Sequence, residues 1–144
     1  MILGIGHDLC NITRIEAAVA RFGSRFISRV YTADEQAEYQ ARGCPARYLA
    51  TRFAAKEAIY KALQRADQSG MSWQHAQTLS AGGAPCLSIS GKCRDGLLSI
   101  LPENSAAYLH VSITDDMPFA SAYVVVEARP GQMSDQYFFD HDPT

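Results

Sequence analysis

Long apolar runs are missing from this sequence of 144 residues: no run reaches 18 apolar residues, and the longest hydrophobic segments contain Arg, Lys or Glu. A membrane-spanning helix needs about 20 mostly apolar residues, so none is predicted. The N-terminal stretch has no basic region and reaches an acid at Asp8, which is unlike a secretory signal peptide. We therefore expect a cytoplasmic protein that does not bind membranes.

Cysteine pairs with metal-site spacing are also absent. The four cysteines lie at positions 10, 44, 86 and 93, with no Cys-x-x-Cys pair and no histidine at a zinc-finger distance. A disulfide framework is not expected in a chain that can bury its own core and lacks a secretory signal. We interpret the four cysteines as buried or half-buried thiols.

An excess of positive charge is missing too, since the formal net charge is −2. Nucleic-acid binding usually requires a basic domain, so it is not predicted. The charge is unevenly distributed: residues 1–65 hold ten Lys/Arg and six Asp/Glu (+4), whereas residues 66–144 hold three and nine (−6). The positive half suits an acidic or phosphorylated partner.

The remaining composition, 47% hydrophobic and 19% charged, is typical of one compact domain. Periodicity and turn residues predict strands and helices along the whole chain up to residue 128. The predicted strands are 2–8, 76–80, 86–90, 107–114 and 119–128, and the predicted helices are 12–22, 25–30, 33–42, 46–64 and 92–101. This order predicts a single α+β domain over residues 1–129, with an antiparallel sheet packed against a long helix. Residues 130–144 are expected to form a mobile tail.

The first segment whose residues could take part in binding or catalysis is Gly4-Ile5-Gly6-His7-Asp8. It fails as a dinucleotide-binding motif because Leu9 stands where the third glycine is needed. Two interpretations stay open: a glycine-rich strand packed beneath a helix, or a strand that delivers Asp8 to a site. His7 is expected to be a packed or surface histidine rather than a metal ligand.

The second segment is Arg52–Lys61 in the long predicted helix, where Phe53, Glu57 and Lys61 share one face and Arg52 and Lys56 share the next. The simplest interpretation is an exposed Glu57–Lys61 pair, worth about 0.3–0.5 kcal/mol. Alternatively, Glu57 and Asp8 supply two carboxylates for Mg²⁺. The neighbouring cations would then surround phosphate groups.

Together, Gly4-Ile5-Gly6-His7-Asp8-Leu9 and the segment from Arg52 to Ala62 resemble the two signature motifs of the 4′-phosphopantetheinyl transferases, most closely those of the short bacterial branch, the holo-[acyl-carrier-protein] synthases. The resemblance covers residues 1–128, with Gly83-Ala84-Pro85 and His110–Asp115 at the expected places. It implies the transferase fold. It also implies transfer of the phosphopantetheine arm from coenzyme A to a serine of acyl carrier protein, in fatty acid biosynthesis, with release of adenosine 3′,5′-bisphosphate.

The resemblance also assigns roles to individual residues. Asp8 and Glu57 would bind Mg²⁺, and a carboxylate of this pair would take the proton from the carrier serine. Lys61 would stabilise the charge on the leaving bisphosphate. Further contacts to coenzyme A would come from Arg52, Lys56, Lys61, Pro85, His110 and Ser112.

The family forms homotrimers whose active sites lie between two subunits, so His110–Asp115 would serve a neighbour's Asp8 and Glu57. Arg14, Arg21 and Arg25 would dock the acidic carrier, and with Arg29 they are spaced as one helical stripe. A solvated surface face is the alternative for these arginines.

The sequence departs from the family pattern at several places. Cys10 stands where larger members have a third carboxylate, and residues 63–68 replace the usual Gly-Thr-Gly loop. Asp115 is assigned no catalytic role, because many relatives have histidine there.

Other functions are also compatible with the residues. A hydrolase triad of His110, Ser112 and Asp115 is disfavoured because no nucleophile elbow surrounds the serine. A transferase for a dedicated polyketide or lipid carrier is an alternative within the class. A carrier-binding protein without catalytic activity is an alternative outside it.

Overall fold

Two antiparallel sheets and five helices make up residues 1–140, the part of the chain that this computed structural model describes. In chain order the elements are β1 (Ile2–Asn11), α1 (Ile12–Phe22), α2 (Ser24–Val30), α3 (Ala33–Ala41), α4 (Ala46–Ala62), β2 (Ala76–Ala81), β3 (Ala84–Ile89), α5 (Gly91–Ile100), β4 (Ser105–Asp116) and β5 (Phe119–Pro130). Short 3₁₀ turns lie at Trp73–His75 and Asp135–Tyr137. The predicted α+β class is confirmed.

The larger sheet has the strand order β1-β5-β4, and β2 and β3 form a separate hairpin. The strand β1 is longer than predicted, so Asp8 lies inside it and pairs with Ala122 of β5. Because side chains alternate along a strand, the even-numbered residues Gly4, Gly6 and Asp8 share the inner face of the sheet, which faces α4.

Helix ends follow the capping signals of the sequence. The Asn11 side chain accepts a hydrogen bond from the Thr13 N–H at the start of α1, and Gly23 ends that helix with φ = 56°. Thr32 and Glu35 form a capping box at the start of α3. The long helix α4 ends at Ala62, two residues before its predicted end.

The close approach of α4 to β1 depends on Gly4 and Gly6. A Cβ atom at Gly4 would lie 1.8 Å from the Ala62 carbonyl oxygen, and one at Gly6 would lie 1.7 Å from that of Ala58. The glycines therefore let the helix backbone pack directly on the strand, which confirms the packing interpretation of this motif. Alanines at 54, 55, 58 and 62 are fully buried along the helix.

The outer face of the larger sheet carries exposed apolar side chains. Ile5 and Leu9 of β1 lie beside Phe119 and Tyr123 of β5, and all four are about half exposed. His7 is on this face, stacked on Tyr123 at 4.0 Å between ring centres. It therefore points away from Asp8, as expected for a histidine that is not a ligand.

The segment after β5 makes specific contacts with the domain up to Asp140. The Phe139 N–H donates to the Ile89 carbonyl oxygen, and Arg94 lies over the Phe138 ring. These contacts join Phe138 and Phe139 to the domain, and the mobility of the tail stays a prediction. The part of that prediction that concerns residues 141–144 lies outside the described residues.

The four cysteines are free thiols, as predicted, but only Cys10 and Cys93 are buried; Cys44 and Cys86 are exposed. The expectation of burial was thus wrong for two of them, since Cys44 lies in the turn between α3 and α4 and Cys86 is an exposed position of β3. Within residues 1–140, no helix combines the length and apolarity required to cross a membrane.

Candidate active site

A cavity of about 460 Å³ opens where β1, α1 and α4 meet, and we call it the carboxylate cavity. Asp8 and Glu57 both line it, together with Arg14, Cys10 and Phe53. Asp8 comes from the inner face of β1 and Glu57 from the facing side of α4. The structure therefore brings together the two carboxylates that the sequence singles out.

Lys61, one helical turn beyond Glu57, reaches the same place. Its Nζ lies 2.8 Å from Asp8 Oδ1 and donates to the His7 carbonyl oxygen at 3.0 Å. The Asp8 side chain is 15% exposed and that of Lys61 is 50% exposed. Lys61 of α4 thus forms an ion pair with Asp8 of β1. The simplest interpretation of the sequence had paired Lys61 with Glu57 on the helix surface.

The electrostatics of Glu57 reflect this crowding. Burial raises the pKa of the Glu57 carboxyl, the nearby Asp8 charge raises it further, and Lys61 opposes both. A raised pKa means that ionised Glu57 is held at a cost in free energy, and a cation at the cavity would recover that cost. Such strain on a carboxylate is typical of functional sites.

Cys10 lines the cavity where larger transferases are expected to have a carboxylate. Burial raises the pKa of its thiol to about 11, with Asp8 adding to the effect, so it is protonated at neutral pH. A neutral thiol is a poor ligand for Mg²⁺. Among residues 1–140, no cluster of three or more His, Cys, Asp or Glu side chains forms a metal site.

Two carboxylates without a third ligand still fit Mg²⁺, which is commonly bound through one or two protein carboxylates, with water and phosphate oxygens completing its shell. The fit rests on Asp8 and Glu57 lining one cavity and on the raised pKa of Glu57.

The structure gives Lys56 a different place from the one expected. Its side chain is 1% exposed and its Nζ lies 2.8 Å from Oε2 of the fully buried Glu35. It also donates to the carbonyl oxygens of Trp73 and Ala76. All three ammonium N–H groups are therefore used, and the expected contact of Lys56 with phosphate is not supported.

Arg52 is also largely buried, but it borders open space. Its guanidinium donates to the Thr78 carbonyl oxygen at 3.1 Å and to the Thr51 and Ser80 hydroxyls, and it stacks over the Tyr48 ring. It lines a second cavity of about 560 Å³, here called the arginine cavity.

Two arginines of this cavity were missed in the sequence. Arg42 and Arg47 line it with Arg52, and Asp115 is the one acid of its lining. The Arg42 guanidinium donates to Ser80 Oγ at 2.6 Å, while that of Arg47 has no partner within the part of the chain that the structure describes. Their spacing of five residues, at 42, 47 and 52, was the available signal.

Pro85, His110 and Ser112 lie outside the carboxylate cavity of their own chain. Pro85 lines the arginine cavity, and His110 and Ser112 are on the outer face of the sheet. His110 Nε2 lies 2.9 Å from Glu127 Oε2, and Asp115 is on the opposite face of β4. A His110–Ser112–Asp115 triad is therefore not formed.

The arginines of the first two helices are exposed. Arg14 borders the carboxylate cavity, and Arg21 lies over the Phe22 ring at 5.0 Å. Within residues 1–140, neither these two nor Arg25 and Arg29 form an ion pair. Gly23 separates the two helices, so Arg29 reaches a different cavity, of about 550 Å³, beside Glu57, Tyr60 and Trp73.

The loop after α4, where the Gly-Thr-Gly sequence is absent, is fixed by side chains. The Gln68 side chain donates to the Tyr60 carbonyl oxygen, and the Tyr60 hydroxyl donates to the Ser72 carbonyl oxygen. Trp73 stacks on Phe53 at 5.1 Å. The loop is thus held against α4 without the glycines.

Comparison with known proteins identifies the class. The model of the 4′-phosphopantetheinyl transferase superfamily matches residues 4–115, which include the carboxylate cavity and both signature motifs. The chain therefore belongs to the 4′-phosphopantetheinyl transferase superfamily.

Relatives define the branch. The holo-[acyl-carrier-protein] synthase of Cereibacter sphaeroides is 47% identical over 131 residues, covering 90% of this chain and 96% of the relative. That of Neisseria meningitidis has a crystal structure with a TM-score of 0.73 at 32% identity, covering 88% of this chain and 99% of its own. The Helicobacter pylori holo-[acyl-carrier-protein] synthase, solved in complex with coenzyme A, has a TM-score of 0.70 at 30% identity, covering 85% and 99%. Within the superfamily, the chain is one of these holo-[acyl-carrier-protein] synthases, a 4′-phosphopantetheinyl transferase.

Proposed function

We propose that this chain transfers the 4′-phosphopantetheine arm of coenzyme A to a serine of apo-acyl carrier protein in a Mg²⁺-dependent reaction. The observation that carries the proposal is that Asp8 and Glu57 line one cavity while Lys61 pairs with Asp8. The serine oxygen forms a bond to the phosphorus next to the pantetheine arm. The bond from that phosphorus to the bridging oxygen breaks, and adenosine 3′,5′-bisphosphate leaves with the bond's electron pair.

Asp8 and Glu57 are the residues that would hold Mg²⁺. When bound, the ion supplies Lewis-acid neutralisation of pyrophosphate charge.

The chain's own groups account for the proton and the orientation of the reactants. A carboxylate of the Asp8–Glu57 pair accepts the serine proton. Lys61 lies within hydrogen-bond distance of Asp8, and its positive charge stabilises charge on the leaving bisphosphate. Arg14, at the rim, orients the acidic carrier.

The arginine cavity is proposed to receive phosphate of coenzyme A. Guanidinium groups bind phosphate through paired N–H donors, and Arg47 has its donors free of protein partners within residues 1–140. Pro85 and Arg52, expected to contact coenzyme A, line this cavity. Arg47→Ala should therefore raise the KM for coenzyme A more than that for the carrier.

A homotrimer is proposed as the working assembly. The exposed apolar residues of the outer sheet face, including Ile5, Leu9 and Tyr123, are typical of a surface that associates. His110 and Ser112 lie on the same face, separated from their own chain's Asp8. Both facts support a site completed by a neighbouring subunit. A cytoplasmic location stays a prediction.

The test is the intact mass of apo-acyl carrier protein after incubation with this protein, coenzyme A and Mg²⁺. A gain of about 340 Da that disappears with EDTA is expected, as metal assistance requires. The Glu57→Gln variant should lose at least about 100-fold in rate because it removes one carboxylate of the Asp8–Glu57 pair. Unchanged turnover of that variant at saturating Mg²⁺ would refute the assignment of Glu57.

Two alternatives are separated by the same measurement. A carrier-binding protein without activity would form a complex and leave the carrier mass unchanged. Its supporting feature is the altered loop after Leu63. A synthase for a dedicated polyketide or lipid carrier would modify that carrier and leave the fatty-acid carrier unmodified.

A further inference from the structure

Three polar side chains form a hydrogen-bonded network on the outer face of the larger sheet. Glu127 of β5 is its centre, Arg129 lies two residues further along the same strand, and His110 is on the neighbouring strand β4. We call these residues the outer-face network. The chemistry proposed above gives no role to Glu127 or Arg129, and both lie beyond residues 4–115, the part of the chain that the superfamily model matches.

Both carboxylate oxygens of Glu127 accept hydrogen bonds. The Arg129 guanidinium donates from Nε to Oε1 at 2.9 Å and from Nη2 to Oε2 at 2.8 Å. His110 Nε2 lies 2.9 Å from the same Oε2. Hydrogen bonds from Arg129 and His110 lower the pKa of Glu127 to about 2, so this carboxylate is ionised at neutral pH and can only accept. Nε2 of His110 is therefore protonated and donates to Glu127.

With Nε2 engaged, Nδ1 is the ring nitrogen of His110 that can reach a ligand. Nδ1 has no hydrogen-bond partner within residues 1–140, and the side chain is 47% exposed. His110 lines a cavity of about 320 Å³ beside β3 and β4, and Pro85 lines both this cavity and the arginine cavity. A ligand with phosphate in the arginine cavity therefore lies close to the ring, where a protonated Nδ1 donates to a phosphate oxygen.

The carboxylate that holds His110 is itself held in place. Arg129 grips Glu127 with two parallel N–H donors, a geometry that fixes the plane of both groups. Arg129 also lies over the ring of Tyr108, the residue opposite Glu127 on β4, at 4.4 Å. Tyr108 packs edge-on against Tyr137 of the C-terminal segment at 5.9 Å between ring centres. The acceptor for His110 is thus fixed on both sides.

The exposure of the network argues against a mainly stabilising role. The Arg129 side chain is 49% exposed and that of Glu127 is 22% exposed. Ion pairs at a protein surface contribute little to stability, because water screens the charges and the side chains lose freedom. Removing Glu127 should therefore disturb the orientation of His110 much more than the fold.

We propose that Glu127 is a positioning residue of the transfer reaction. It holds His110 by Nε2 so that Nδ1 faces a phosphate of coenzyme A, and Arg129 fixes the Glu127 carboxylate. This inference rests on the proposed function, which includes the expected contact of His110 with coenzyme A.

The first test compares Glu127→Ala and Glu127→Gln with the wild type. For Glu127→Ala we expect the KM for coenzyme A to rise about tenfold, with the carrier KM unchanged and Tm altered by no more than about 4 °C. Glu127→Gln should recover part of the affinity, because its amide oxygen still accepts one hydrogen bond. The control is Glu103→Ala, which removes an exposed glutamate without an ion pair in the described part of the chain and should match the wild type.

The second test is a double-mutant cycle with His110→Ala. A residue that acts through His110 has nothing left to orient once the ring is removed, so adding Glu127→Ala to His110→Ala should leave the KM for coenzyme A unchanged. An independent contribution of Glu127 would multiply the two effects and overturn the proposal. A wild-type KM for coenzyme A in Glu127→Ala would overturn it as well.

Two further measurements separate this inference from the proposed function. Dissociation of the Glu127→Ala assembly, followed by light scattering, would assign the network to subunit association and overturn the positioning role. Wild-type protein that binds coenzyme A but modifies no carrier would refute the transferase function. In that case a Kd for coenzyme A that rises in Glu127→Ala, but not when His110→Ala is already present, would still support the positioning role.

Discussion

The close contact between α4 and β1 makes Gly6→Ala the sharpest test of how the fold positions the site. The new Cβ would lie 1.7 Å from the Ala58 carbonyl oxygen, whereas Cβ contacts below 3.0 Å essentially never occur. The helix must therefore retreat by at least about 1.3 Å, because a backbone carbonyl cannot rotate away. Overpacking of this kind costs about 3 kcal/mol, which lowers Tm by about 10 °C in a chain of this length.

The same retreat would disrupt the site. The Lys61–Asp8 distance of 2.8 Å would open to about 4 Å, and a misplacement of about 1 Å can cost 100-fold in rate. Stability is measured by urea unfolding followed through Trp73, the single tryptophan, and activity by carrier modification.

The matched control is Gly96→Ala, where the new Cβ meets the end of the flexible Met71 side chain at 2.5 Å. That variant should be close to wild type in both assays. Wild-type stability and rate for Gly6→Ala would refute the role given to this contact.

Three further predictions concern charged groups. Because burial and Asp8 raise the pKa of Glu57, the folded state binds its proton more tightly than the unfolded state, and stability falls as pH rises through that pKa. Glu57→Gln should therefore raise Tm at pH 7 in EDTA and not at pH 4; a lower Tm at pH 7 would contradict this. Lys56→Met leaves the Glu35 charge buried without its partner and should lower the free energy of unfolding, measured in urea, by about 3–5 kcal/mol. Adding Glu35→Gln should recover part of that loss. Wild-type stability of Lys56→Met would contradict this prediction. Replacing Arg14 and Arg25 by Glu should raise the carrier KM, most strongly at low salt; an unchanged KM at low salt would assign these arginines to a solvated face.

Local signals in the sequence predicted the elements well. Helix ends are marked by Asn11, Gly23 and the Thr32–Glu35 pair. The capping geometry at these ends depends only on residues that are close in the sequence, so it can be predicted locally. Alternation and turn residues located the β4–β5 hairpin to within two residues at each end. That Asp8 and Glu57 lie at one site could be predicted because the two motifs together resemble those of a known family.

The burial of the Lys56 and Arg52 side chains could not be predicted from local sequence signals. The charges of Lys56 and Arg52, and their place in the second motif, predicted contacts with phosphate groups. Their partners, Glu35 and the Thr78 carbonyl oxygen, come from α3 and β2, and only the tertiary fold brings them to α4. Arg47 was missed although its five-residue spacing from Arg42 and Arg52 is visible in the sequence, since only the fold shows that the three arginines line one cavity.

The orientation of α4 follows from these contacts together. Lys56 fixes one side of the helix by its buried pair with Glu35, and the next residue, Glu57, is thereby directed to the carboxylate cavity. Lys61, four residues later, shares the face of Glu57 and reaches Asp8, which is held at this distance by the glycines of β1. A rotation of the helix by one residue, about 100°, would expose Lys56 and remove Glu57 from Asp8 at once. We therefore expect the buried cation to orient Glu57, the proposed catalytic carboxylate, although Lys56 does not line the cavity itself.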